Sequence, residues 1–283
     1  MYSPVFADTA AALEAMSPKP VDLFSIGGFA ISNSMIAEAI AVIVVVTVIQ
    51  IGMRKPQLVP SGMQNFVEWL VELIANFVEN LAGYKTMRLG FWYFGGLLVF
   101  VLFENILALM PGFGTIGYGH GANIWNFVVT KPFLRGANAN VNVTAAYSAI
   151  FFVMFFYWIY RGAGFGGSLY HVFGSKVKFS NIFANWAFIL IFFLVGWIDV
   201  FSILLIRPIA FTFRLFGNIY GGEYLLDSMY KLAPNFAFII LVPFYFYELL
   251  VAFVQAFVIF ALTAAFTGMI TNTGHPETEE AKH

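Results

Sequence analysis

The segment "IFANWAFILIFFLVGWIDVFSILLIRPIAFTFRLFGNIYGGEYLLDSMYK", residues 182–231, is apolar almost throughout and contains no loop. It is too long for one upright membrane span, which needs about 20 residues. The proline in "IRPI" can kink a helix, but the chain cannot reverse there because lipid offers no partners for freed backbone groups. The segment therefore predicts one long helix, tilted or kinked. A turn at "KLAPN" and a second long apolar segment over 235–271 complete a predicted helical hairpin.

The composition places most of the chain in a membrane. Of its 283 residues, 60% are hydrophobic and 10% are charged, whereas soluble domains carry about 25% charged residues. Apolar segments of this length must be helices, because the strands of a membrane barrel are about half as long and alternate in polarity. The sequence thus predicts an all-α integral membrane protein.

The same composition excludes several classes of function. A net charge of −1 gives no electrostatic basis for binding nucleic acid. Cysteine is absent, which removes disulfides, thiolate catalysis and cysteine metal sites. The four histidines lie in loops and tail without ligand spacing, and no phosphate-binding loop or nucleophile elbow is present. We predict no catalytic residue, no metal and no cofactor.

Three further spans and one amphipathic helix precede the hairpin. The apolar segments cover 31–52, 91–110 and 143–160. Within 61–82, three glutamates share one helical stripe and apolar residues cover the other side, a pattern typical of a helix that lies along the membrane interface. The plan is five membrane-crossing helices plus one interfacial amphipathic helix, with the last two crossing helices long and tilted.

The distribution of lysine and arginine predicts the orientation. With the N-terminus outside, the inner segments hold eight of these residues and the outer segments hold four, in agreement with the positive-inside rule. We therefore expect residues 1–30 to form an external N-terminal arm, 31–272 a single membrane domain, and 273–283 a cytoplasmic tail.

A charged residue, Arg214 in "FTFRLFGNIYGGE", lies within a segment that is predicted to cross the membrane. An arginine at the membrane centre costs about 2.5 to 3.5 kcal/mol on insertion scales. On a helix Asn218 falls about 40° from Arg214, and Gly217 and Gly221 lie within about 60° on the other side. Ala210 continues this stripe of small residues. Another helix can approach such a surface closely.

Acidic residues occupy a different face of the same helix. Glu223 falls about 180° from Arg214, with Asp227 one turn further. In an antiparallel hairpin, Gln255 lies close to the level of Arg214, and Glu248 lies within about a turn of Glu223. We expect an amide and arginine layer deep in the membrane and a carboxylate cluster nearer the outside. No cation is expected beside that cluster, so it would recruit water or protons, as a proton path requires.

Asp199 is a further candidate, because it lies in an otherwise apolar segment. Simpler explanations stay open for the other residues. Arg214 can neutralise a carboxylate of its own chain, and the glycines can serve ordinary helix packing.

Two stretches carry a resemblance to a known family. "RPIAFTFRLFGNIYGGEYLL", followed about 30 residues later by "QAFVIFALTAAFTG", resembles subunit a of the rotary F-type ATP synthase of bacteria. "VPSGMQNFVEWLVE", "NVNVTAAYSAI" and the C-terminal "TNTGHPETEE" also fit, so the resemblance covers about residues 30 to 275.

The resemblance implies a mechanism. Subunit a is a stator in the bacterial inner membrane, held with the b-subunit peripheral stalk beside a ring of c subunits. Protons enter through one half-channel and leave through another, which turns the ring and drives ATP synthesis. The resemblance assigns the essential, ring-facing arginine to Arg214, nearby polar positions to Asn218 and Gln255, and the relay pair of the inlet to Glu223 and Glu248. The subunit itself makes no chemical bond.

The sequence departs from the family pattern at several positions. Some relatives pair a carboxylate with a histidine in the relay, whereas both positions are glutamate here. Asn140 stands where many relatives have aspartate, and Ala108 where some do. Asp199 lies about one position from the acidic residue of relatives. Sodium coupling is left open, because that choice rests mainly on the ring.

Another class of function competes with the stator. An autonomous secondary transporter could use Arg214 to bind an anionic substrate. Such a transporter predicts inverted repeats and broken helices in both halves, but the conspicuous motif occurs once. A purely structural scaffold leaves an arginine in a groove of glycines without explanation.

Overall fold

A computed structural model of the protein describes residues 20–110, 116–120, 128–162, 182–232 and 236–271. The helices in these ranges are α1 (Asn33–Gly52), α2 (Met63–Ala82), α3 (Tyr84–Ala108), α4 (Val141–Gly162), α5 (Ile182–Phe201), α6 (Arg207–Leu232) and α7 (Ala237–Thr271). A short 3-10 helix covers Ala137–Ala139, and a π-helical turn covers Ser202–Ile206. The strands are β1 (Asp22–Ile26), β2 (Phe29–Ser32), β3 (Gly117–His120) and β4 (Val128–Pro132).

The prediction of an all-α membrane protein with five crossing helices is confirmed. Five described helices are long and apolar enough to cross a membrane, and their apolar stretches are Asn33–Gly52, Tyr84–Ala108, Val141–Trp158, Phe193–Leu232 and Ile239–Met269. The fourth runs through the π-helical turn without a loop, as the apolar segment 182–231 requires. Helix α2 is not among the five, and its place in the membrane interface stays a prediction.

Two glycine-containing turns lie where the structure differs from the sequence prediction. Gly83 has φ +84°, a left-handed conformation that ends α2 and lets α3 begin at Tyr84, seven residues before the predicted 91. Gly27 and Gly28 also have positive φ and join β1 to β2. This hairpin occupies the described end of the predicted N-terminal arm; residues 1–19 and 272–283 lie outside the described residues.

The chain divides into two compact units. Unit 1 comprises Met1–Val67, Leu98–Thr144 and Thr212–Val258. Unit 2 comprises Glu68–Leu97, Ala145–Phe211 and Ile259–His283.

Unit 2 is held together by aromatic packing. Phe151, Phe152 and Phe155 of α4 are buried and form one cluster, against which Tyr93 and Phe266 pack. Such clusters suit a membrane helix bundle, because rings fill volume without leaving polar atoms unpaired.

The π-helical turn lies inside the longest described span. The backbone N–H of Arg207 donates to the carbonyl of Ser202, five residues back instead of four. Pro208 follows immediately and has no N–H to donate. A π-turn contains one residue more than an α-turn. The helix therefore accommodates one extra residue, and the side chains before and after the turn keep the relative directions that they would have on a continuous α-helix one residue shorter.

Candidate functional site

The guanidinium of Arg214 lies on an open face of α6. Arg214, Gly217 and Gly221 are all exposed. A β-carbon added at Gly217 or Gly221 would meet nothing within 4 Å. Among the described residues, none forms a hydrogen bond or ion pair with Arg214, so neutralisation by a carboxylate of its own chain has no support here. This face of unit 1 therefore has both the charge and the room for a partner from outside the chain.

Ala210, one turn before Arg214 on α6, is exposed as well. Ala210, Arg214, Gly217 and Gly221 recur at helical spacing, and their role as a smooth docking surface stays a prediction.

Two amides of unit 1 keep unsatisfied donors. The Nδ2 of Asn218 on α6 and the Nε2 of Gln255 on α7 are buried, and no described residue accepts a hydrogen bond from either. Buried amide donors without acceptors are unfavourable. Both donors therefore lack an acceptor among the described residues.

The expectation of a carboxylate cluster without a cation is wrong. In unit 1, Arg135 Nη2 lies 3.3 Å from Glu223 Oε2 and donates a hydrogen bond to it. Asp227 pairs with Lys231, one turn along α6, at 2.6 Å. Arg135 lies between the predicted spans 91–110 and 143–160. The segment from Pro132 to Asn140 packs into unit 1, where Arg135 is 8% exposed.

Glu248 differs from Glu223 in its surroundings. Its side chain on α7 is 5% exposed, and among the described residues none gives it a cation or a hydrogen bond. Its carboxylate lies against the backbone of α6 at Gly222, in space that a β-carbon there would fill. Counting residues from the predicted turn of the hairpin places Glu248 about one helical turn away from this contact.

The segment after β4 carries a buried amide network that sequence analysis missed. Asn138 Nδ2 donates to Asn105 Oδ1 at 2.8 Å, and Asn105 Nδ2 donates to the carbonyl oxygen of Ala252 at 3.2 Å. Both asparagines are fully buried. The network ties this segment to α3 and α7. The signal that could have revealed it is the concentration of asparagines in "NANVN", next to an apolar helix.

The same segment is also tied to the start of α1. Asn140 Nδ2 donates to the Ser34 hydroxyl at 3.0 Å, and the hydroxyls of Ser32 and Ser34 are hydrogen-bonded at 3.0 Å. Asn33 Nδ2 donates to the carbonyl oxygen of Pro132 at 3.2 Å. These bonds fix the segment that presents Arg135.

Asp199 belongs to unit 2, on the α5 side of the π-turn, and is exposed. Its charge acts on Arg207, which is half-buried with its guanidinium carbon 4.2 Å from the centroid of the Phe266 ring. Eight residues separate the two, which on a plain helix would put them about 80° apart. The π-turn absorbs one of these eight residues, so Asp199 and Arg207 have the angular relation of residues seven apart on a plain α-helix. That relation places their side chains within about 20° of each other around the helix axis.

Deleting Leu205 is therefore expected to be tolerated. Leu205 is exposed within the π-turn, and its loss would convert the turn to α-helix while keeping Asp199 and Arg207 on one face. We expect the shortened chain to reach the membrane at close to the native level, measured by its abundance in purified membranes. Deleting Leu204 and Leu205 together, the matched control, would rotate the two faces apart by about 100° and reduce that level severalfold. Equal loss in both variants would contradict this account of the turn.

The fold and the site define a class: helical membrane proteins whose spans carry an arginine without a partner in the described part of the chain, together with acidic residues. A family model described as ATP synthase A chain matches residues 35–268. The chain belongs to the ATP synthase A chain family.

Proteins named ATP synthase subunit a are among its relatives. The one from Gloeobacter violaceus is 31% identical over 236 residues, 83% of this chain and 82% of that protein. The one from a Sulfurihydrogenibium species is 28% identical over 239 residues, 84% and 97% of the two chains. The one from Anaeromyxobacter strain Fw109-5 is 30% identical over 253 residues, and 54% of its length is covered. These comparisons give no support to an autonomous transporter.

Proposed function

We propose that this chain is the proton-conducting stator subunit of a rotary ATP synthase. It lies beside the c-subunit ring with the b-subunit peripheral stalk, and two offset half-channels against the ring let proton flow drive rotation and ATP synthesis. The subunit is non-catalytic and has no cofactor. Family membership and the five candidate spans support this proposal.

The observation that carries the proposal is the open face of Arg214. A guanidinium without a partner among the described residues calls for an anion from elsewhere, since an unpaired charge in lipid is unfavourable. A c-ring carboxylate meets that need, and Ala210, Gly217 and Gly221 leave space for the ring to approach. The side-chain amides of Asn218 and Gln255 are further donors near Arg214 in this proposed site, and they lack an acceptor among the described residues.

The acidic residues of unit 1 form the proposed inlet for protons. Glu223 and Glu248 are its relay pair, with Asp227 nearer the end of α6, and Asp199 of unit 2 is a further proton-transfer residue. Each proton that crosses gains about 2.3 kcal/mol per 100 mV of membrane potential. The chain is placed in the bacterial inner membrane with residues 1–30 outside, 31–272 as one membrane domain and 273–283 in the cytoplasm.

Cross-linking tests the proposed ring interface directly. Because the chain has no cysteine, a single cysteine at Gly217 can carry a photoreactive maleimide in membranes that hold the assembled complex. We expect adducts with c subunits, detected by mass spectrometry. A cysteine at Ile43, which is 63% exposed on α1, is the matched control and is expected to react with lipid instead. An assembled complex in which Gly217 labels only lipid would contradict the proposed interface.

A further inference from the structure

The hairpin of β3 and β4 in unit 1 has an apolar face that the described part of the chain leaves exposed. We propose that this face, formed by Ile116, Tyr118 and Phe133, is an interface anchor. It rests in the lipid headgroup region of the leaflet that holds the start of α1, and it thereby fixes the segment that presents Arg135. The contact with lipid is independent of the proposed function, whereas its effect on proton pumping rests on that function.

The strand pairing gives the hairpin two different faces. Gly117 lies opposite Pro132, and the N–H of Phe133 donates to the carbonyl oxygen of Ile116 at 2.9 Å. Because side chains alternate along a strand, Ile116, Tyr118 and Phe133 share one face, and Pro132 belongs to the other. Pro132 is buried, whereas Ile116 is 64% exposed, Tyr118 67% and Phe133 37%. The exposed face is therefore the apolar one.

The buried face of the hairpin is attached to the end of a membrane span. Asn33, the first residue of α1, donates from Nδ2 to the carbonyl oxygen of Pro132 at 3.2 Å. The 20 residues of α1 measure about 30 Å along the helix axis, which is also the thickness of the hydrocarbon layer. Asn33 therefore lies at the boundary between hydrocarbon and headgroups, and Pro132 lies beside it.

The end of a second span lies on the other side of Phe133. A β-carbon added at Gly136 would lie 2.6 Å from Cβ of Ala108, which is the last residue of α3. The four residues from Pro132 to Gly136 span at most about 14 Å, so the two helix ends belong to the same side of the membrane. Phe133 lies between these two contacts, and the interface anchor is thereby placed at the depth of the headgroups.

The side chains of the interface anchor suit that depth. Tyrosine is enriched where membrane meets water, because its ring is apolar and its hydroxyl is polar. The rings of Tyr118 and Phe133 pack edge to face with their centroids 4.9 Å apart, so they form one apolar surface that carries a hydroxyl. Such a surface is unfavourable in water. Lipid already surrounds the span ends at this depth, whereas a partner protein would have to displace it.

The interface anchor bears on the proposed inlet through Arg135. Phe133 lies two residues before Arg135, whose Nη2 is 3.3 Å from Oε2 of Glu223. On the C-terminal side the segment is held by Asn138, which donates to Asn105 at 2.8 Å. The interface anchor holds the N-terminal side. Without it, Arg135 would be free to shift relative to Glu223.

A depth measurement tests the contact with lipid. Since the chain has no cysteine, a Tyr118→Cys variant can carry a nitrobenzoxadiazole fluorophore in the assembled complex, reconstituted in phosphatidylcholine vesicles. We expect a nitroxide near the headgroup to quench this probe at least about twofold more than a nitroxide at the end of the acyl chain. Ile43→Cys, at a site 63% exposed near the middle of α1, is the matched control and should show the reverse order.

Two results of the depth measurement would overturn the interface anchor. One is quenching of the Tyr118 probe by aqueous iodide alone, which would place the hairpin in water. The other is cross-linking of a photoreactive group at this site to another protein subunit, which would make the face a protein interface.

Paired substitutions test the effect on pumping. Tyr118→Ser/Phe133→Ser removes both rings from exposed positions, and we expect ATP-driven acidification of inverted vesicles to fall about threefold, with the subunit retained in the complex. Tyr118→Trp/Phe133→Trp keeps rings that favour the interface and is expected to pump at the native rate. Native pumping by the serine variant, or equal losses in both variants, would overturn the positioning of Arg135 by the anchor. A native complex that does not acidify vesicles would instead contradict the proposed function, and the depth measurement would still decide on the lipid contact.

Discussion

Replacing Arg214 by alanine is expected to abolish ATP-driven proton pumping while the complex stays assembled. The side chain lies on an open face and has no partner among the described residues, so its removal breaks no contact within them. Truncating an exposed side chain away from such contacts changes stability by at most about 0.5 kcal/mol. Function, by contrast, would lose the positive charge that the proposed mechanism offers to the ring carboxylates.

The measurement is acidification of inverted membrane vesicles after ATP addition, with retention of the c ring checked in the purified complex. Arg161→Ala is the matched control, because Arg161 is also an exposed arginine on a long helix, and its one hydrogen bond among the described residues is to Tyr157 one turn away, at 2.9 Å. We expect the control to pump at the native rate. Native pumping by an assembled Arg214→Ala complex would reduce this arginine to a structural role and require the mechanism to be rebuilt from the carboxylates.

The parts of the molecule that follow from helical periodicity could be predicted. The length and polarity of 182–231 determine one long helix, and spacings of three and four residues determine which side chains share the face of Arg214. The position of Glu248 opposite α6 follows from counting residues from the connection between the two long helices. This prediction is accurate to about one turn of an α-helix.

The partner of Glu223 could not be predicted in this way. Arg135 lies 88 residues earlier in the chain than Glu223, in a segment without helical periodicity. Its position beside Glu223 depends on a buried amide network that forms only in the tertiary fold. A loop rich in glycine and asparagine looks like solvent-exposed chain, because those residues favour turns. The π-turn is equally hidden, since one extra residue in a helix leaves no trace in composition.

Gly222→Ala is expected to reduce pumping at least tenfold with little change in the stability of the complex. The added β-carbon occupies space that the Glu248 carboxylate now fills. That carboxylate is the far end of a flexible side chain, so it can move away at small cost, and alanine itself favours the helix by about 1 kcal/mol over glycine. The displaced carboxyl group would no longer lie where the proposed relay needs it, and misplacement by about 1 Å can cost 10²-fold in rate.

A matched substitution and a rescue make the Gly222 result interpretable. Gly96→Ala on α3 adds the same methyl group within another span, where nothing lies within 4 Å of the new β-carbon, and we expect native pumping. Shortening the displaced side chain in Gly222→Ala/Glu248→Asp should return part of the lost rate, because aspartate withdraws the carboxylate by one methylene from the crowded backbone. If both glycine variants pump equally, the carboxylate does not need its position against α6. If Gly222→Ala falls while the shortened pair recovers, the position of the Glu248 carboxylate sets the rate of proton transfer.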